Sequence, residues 1–142
     1  MLATKNRPDR GRDRRGAATV EMAVLLPLIV MLAFAMTEAS RLCMVSQLLT
    51  NAAREGCRVA ASNGNLSSDV TTRVDAALTA AKITPSLVTR TLSPSAIQGT
   101  TSSDQVALTL AVDFGKVNWL GTPFFFKSTT VTAKVVMQSE RP

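Results

Sequence analysis

The 142-residue chain contains no histidine and no tyrosine, and aromatic residues make up 4% of it. The missing histidines exclude Ser-His-Asp and Cys-His nucleophile arrangements, histidine-ligated zinc and HExxH metalloprotease sites together. The scarcity of aromatics makes any core an aliphatic one. Seven glycines, at positions 11, 16, 56, 64, 99, 115 and 121, form neither a dinucleotide fingerprint nor a phosphate loop. Asp69, Asp75, Asp104 and Asp113 are scattered without ligand spacing and read as solvated side chains. The expectation is a chain with no cofactor and no metal, and not an enzyme.

The net charge is +6, unevenly distributed. Residues 1–16 hold Lys5, Arg7, Arg10, Arg12, Arg14 and Arg15 against Asp9 and Asp13, whereas the body is close to neutral. A basic arm suits nucleic acid, but its continuation argues for a different partner. Ala17–Met36 carries one charge, Glu21, and as a helix would span about 30 Å, the thickness of a bilayer core. Arg and Lys placed directly before an apolar span stay on the cytoplasmic side. The expected topology is single-pass, with the N-terminus cytoplasmic, the remainder outside and no nucleic-acid partner.

The apolar span runs on into an amphipathic stripe at Leu42, Val45, Leu49, Ala52, Gly56 and Val59, so one helix is expected from about Ala17 to about Ala61. Glu38 and Arg41 stand at a favourable helical spacing, Arg54 and Arg58 at a mildly repulsive one. Ser62-Asn63-Gly64-Asn65 should end the helix, with Gly64 as a left-handed cap. A second helix is expected at about Ser67–Lys82, capped by Ser67 or Ser68, with Asp69 in its first turn. Its apolar face is Leu66, Val70, Val74, Ala77, Leu78 and Ala81, and Pro85 follows its end. Leu87–Leu92 is a weak strand candidate. Val106, Leu108, Leu110, Val112 and Phe114 alternate with more polar residues as a half-buried strand does, and Val131, Ala133, Val135 and Met137 repeat the pattern. The fold class is therefore α+β: a long N-terminal helix, then a small helix and an antiparallel β-sheet head. The corresponding segments are a basic leader (1–16), the long helix (17–61, its membrane span 17–36) and the head (62–142). Trp119, Phe124, Phe125 and Phe126 lie in the connection Gly115–Lys127. They are expected to fold back into a head otherwise poor in bulky residues, rather than to form an exposed tip.

Arg14-Arg15-Gly16-Ala17-Ala18-Thr19-Val20-Glu21 places a basic run, a glycine and a lone carboxylate at the start of the span. It resembles the class III signal sequences of type IV pilin-like proteins, cut by a prepilin peptidase after the glycine. The longer stretch from Gly16 through Pro27, Glu38-Ala39-Ser40-Arg41 and Ala52-Ala53-Arg54-Glu55-Gly56-Cys57-Arg58 is similar to the TadE-like family of tight-adherence (Tad/Flp) pilus proteins. The end, Val131–Glu140, is loosely similar too. Met22 stands where these pilins often carry an aromatic, and Cys57 where alanine is common. The resemblance implies a minor pilin or pseudopilin of pilin-like fold, held in the bacterial inner membrane. Its implied partners are a prepilin peptidase acting between Gly16 and Ala17, other pilin subunits and the Tad secretion machinery.

Four more residues follow from this reading. Glu21 would pair with the α-amine that cleavage creates at Ala17, its own or a neighbour's, and set register in an assembly. Pro27 removes one helical hydrogen bond and is either a hinge for assembly or an ordinary membrane-helix proline. Cys43 and Cys57 lie about 21 Å apart along one helix, too far to pair within a chain. They either form an inter-subunit disulfide on the oxidising side or remain small reduced hydrophobes. Two rival readings compete. In one, Ala33-Phe34-Ala35 ends a conventional secretory signal, with cleavage before Met36. In the other, the chain is an uncleaved single-pass protein whose head binds an envelope partner.

Overall fold

The computed structural model describes residues 10–62, 65–97, 100–117 and 123–140, with side chains from residue 16 onward. The elements in chain order are helix α1 (Arg10–Ala61), helix α2 (Ser67–Ala80), a 3-10 turn at Pro85–Leu87, strand β1 (Val88–Ser93), strand β2 (Gln105–Asp113), the short helix α3 (Phe114–Val117) and strand β3 (Thr130–Gln138). This is the expected α+β order of a pilin-like chain. Contacts divide the chain into two compact units, residues 1–37 and residues 38–142.

Helix α1 ends at Ala61 as expected, but it is already helical at Arg10 rather than from Ala17. Arginine is a strong helix former, and each residue added to an existing helix gains a hydrogen bond without a new nucleation cost. The expected stop at Asn63 and Gly64 lies outside the described residues, as does Trp119.

In the unit from Glu38 onward, α1 contributes Val45, Leu49, Ala52, Ala53, Cys57 and Ala60 to the core, all buried. The buried face is thus broader than the expected stripe, and Leu42 and Val59 lie at its margin, half-buried. Alanine and glycine on this face let the other elements approach closely. At Gly56 a Cβ would overlap Val74 of α2 and stand 2.6 Å from Leu108 Cδ2 of β2. Helix α2 buries Val70, Val74 and Leu78. It starts differently from expectation: the first residue outside the helix is Leu66, whose N–H donates to the Asp69 carboxylate at 2.7 Å, so neither Ser67 nor Ser68 is the cap.

The three-stranded sheet has the order β1-β2-β3, with both pairings antiparallel. Val106, Leu108, Leu110 and Val112 of the central strand β2 point into the core, and Val131 and Ala133 of β3 join them. The opposite face carries Thr91, Thr109 and Lys134 in cross-strand register. Phe114, expected as the last strand residue, is fully buried but opens α3, where the chain turns out of the sheet.

Candidate membrane and assembly segment

From Val20 to Phe34 the apolar side chains of α1 are all exposed, from 41% at Leu25 to 69% at Val24. A helix of this length and composition is suited to cross a membrane. The segment bears Glu21 as its single charge, and Glu21 has no ion-pair partner among the described side chains. Pro27 sits inside the continuous helix and offers no N–H to the carbonyl four residues before it. Gly16 also lies within helical backbone, with nothing within 4 Å of where a Cβ would stand. Glycine weakens a helix interior by about 1 kcal/mol relative to alanine, so the Gly16–Ala17 bond sits where helix is comparatively easy to open.

The two cysteines are in different settings. Cys43 is exposed and Cys57 is buried, both as free thiols. Cys57 Sγ lies 3.3 Å from the Val106 carbonyl oxygen and 3.7 Å from that of Val135, at the heart of the contact between α1 and the sheet. Burial pushes the Cys57 thiol above its ordinary pKa, against the smaller opposing effect of backbone hydrogen bonds, which keeps it protonated and unreactive near neutral pH. Of the pair, Cys43 is the thiol a neighbouring chain can reach.

One polar site was not anticipated from the residues. Glu38 is 3% exposed, and its carboxylate accepts the backbone N–H groups of Phe124, Phe125 (2.9 Å) and Phe126 (3.4 Å). Burial acts to raise this carboxyl's pKa, but the three donors together outweigh it and hold it below the ordinary carboxylate value. The spacing to Arg41 had suggested an ion pair. Instead Arg41 turns away, and its Nη2 donates to the Val117 carbonyl at 3.3 Å. On the repulsive pair the structure adds a partner: Glu55 binds Arg73 of α2 at 2.8 Å and Arg58 at 3.7 Å.

The same clamp corrects the expectation for the aromatic connection. Phe126 packs against the core, but Phe124 is 81% exposed and Phe125 is 47% exposed. The backbone of the connection is what folds back, onto Glu38, and two of its rings face outward. A carboxylate shortly after an apolar span is the only hint of this that the sequence contains, and its partners lie 86 to 88 residues away.

Residues 16–58 match the family model of TadE-like proteins. The match covers α1 from Gly16 almost to its end and none of the strands. No curated protein and no solved structure matches the chain.

Proposed function

We propose that this chain is a minor pilin or pseudopilin that takes part in assembling a tight-adherence pilus, released from its basic leader by a prepilin peptidase cutting between Gly16 and Ala17. The observation that carries the reading is where the family match begins. It starts at Gly16, the glycine that ends the basic run and opens the apolar span. In this reading the segment from Ala17 to Met36 anchors the chain in the inner membrane, with the head outside, and later packs against other subunits. Glu21 and Pro27 then serve assembly, and no residue does chemistry.

N-terminal sequencing of the mature protein tests this. Ala17 is the expected first residue, and Gly16→Leu should leave the leader attached. Normal processing of Gly16→Leu would remove the class III reading. One observation favours a second reading: the compact unit begins at Glu38, so secretory cleavage after Ala33-Phe34-Ala35 would leave that unit whole. A mature chain beginning at Met36 would establish it instead, and one retaining Met1 would mean an uncleaved anchor.

A further inference from the structure

We propose that the pocket walled by Arg41, Lys82 and Lys116, together with the exposed Phe124 and Phe125, holds the headgroup of an anionic phospholipid. The inference rests on the membrane anchoring proposed above and names the lipid that the head would select.

The pocket has a volume of about 440 Å³, and its described lining includes three cations and no carboxylate. Two acids close in sequence to the lining residues Arg41 and Lys116 are engaged elsewhere: Glu38 holds three backbone N–H groups, and Asp113 Oδ1 accepts the Gly115 N–H at 3.0 Å. Arg41 is fixed by its contacts to the Val117 carbonyl and, at 3.3 Å, to Met44 Sδ, yet its buried Nε has no hydrogen-bond partner. A positioned guanidinium with a donor unspent, lining one pocket with two lysines, is a setting that an anion stabilises.

Lys82 supplies an independent observation. Helix α2 closes with Lys82 N–H donating to the Thr79 carbonyl and Ile83 N–H to that of Leu78, the two bonds of a Schellman motif. The residue at this position must adopt positive φ, here 57°, where glycine is the usual choice. A lysine held there accepts strain that glycine would avoid, and its side chain lines the pocket.

The surroundings point to a lipid rather than to a free anion. Met44, Leu87 and Val117 make part of the wall apolar. Glu38, one turn before Arg41, follows the apolar span by two residues and binds the backbone of the segment that exposes Phe124 and Phe125. Arg41 follows the apolar span by five residues in the chain, and cations close behind a membrane span in sequence suit an interface of phosphate and acyl chain.

Two measurements on the full chain test this. In non-ionic detergent, dihexanoyl phosphatidylglycerol should raise the melting temperature, while dihexanoyl phosphatidylcholine and inorganic phosphate at equal concentration should not. Lys82→Gly should melt no lower than the parent without lipid, yet need at least tenfold more phosphatidylglycerol for the same shift. An equal response to inorganic phosphate, or an unaltered lipid response in Lys82→Gly, overturns the proposal. In vesicles containing phosphatidylglycerol with brominated chains, Phe124→Trp in a Trp119→Phe background should be quenched. An unquenched Trp in a chain that floats with the vesicles overturns the proposal and leaves the anchoring intact. A chain that does not float overturns the anchoring itself, and the detergent measurement still decides the pocket.

Discussion

Gly56 of α1 lies directly against Val74 of α2, with no space for a methyl group between them. The contact involves β2 as well, because the same Cβ position is 2.6 Å from Leu108 Cδ2. Gly56→Ala adds helix propensity worth up to about 1 kcal/mol but forces the neighbours apart, and overpacking of this kind costs about 1–3 kcal/mol. The net outcome expected is a loss of stability, larger for Gly56→Val. Urea denaturation of the purified chain measures it, and a stabilised Gly56→Ala would show that the three elements separate more easily than their packing suggests.

The Glu38 clamp has a pH signature. Its carboxyl titrates lower in the folded protein than in the unfolded chain, where the value is about 4.3. The ionised form therefore binds the three N–H groups at full strength above that unfolded value, and this contribution is lost as pH falls through the lower folded pKa. Glu38→Gln should melt below the parent at pH 7, with the difference shrinking on acidification below about pH 4. An identical difference at pH 7 and pH 3 would mean that the carboxylate charge contributes nothing to the clamp.

Thiol labelling separates the two cysteines. A polar alkylating reagent should modify Cys43 in the folded protein and reach Cys57 only after unfolding. Any covalent dimer on a non-reducing gel should accordingly vanish in Cys43→Ser and persist in Cys57→Ser. Dimer loss in Cys57→Ser alone would require the core around Val106 and Val135 to open in the assembled state.

Glu21 is expected to matter to partners and not to the fold. Glu21→Gln should remain helical and be inserted in the membrane, because an amide is easier to place in an apolar layer than a carboxylate. It should be cleaved, yet recovered with pilus components at a small fraction of the parental yield. Recovery at the parental level would assign Glu21 to the headgroup region, solvated and without a partner.

Local pattern made much of this fold legible. The alternation of Val106 through Val112 and of Val131 through Met137 located two strands, because period two shows directly when one face is buried. Val70, Val74 and Leu78 did the same for α2. Features set by distant residues were not legible. Phe114 fits the strand pattern and is buried as a strand residue would be, so nothing local announces the helical turn it starts. Nor does anything around Glu38 name backbone donors at Phe124–Phe126 as its partners. Its spacing to Arg41 is a sound helical pairing rule that a buried set of three N–H groups outcompetes. Glu21 and Pro27 stood out for the opposite reason, each being an exception inside an otherwise apolar stretch, and Gly16 stood out because it closes the basic run.

The position of β3 bears on the order in which the head can form. Cys57 meets carbonyls 49 and 78 residues further along, and the Glu140 N–H donates to the Ala61 carbonyl at the end of α1. One edge of β2 is paired by β3, so a chain still emerging carries β2 with that edge bare and Cys57 without its Val135 contact. Native contacts of such long sequence separation form late, because loop closure must come before them. Until β3 has arrived, the head is a set of partly paired segments with exposed apolar surface, the condition in which newly made chains aggregate or are taken by proteases.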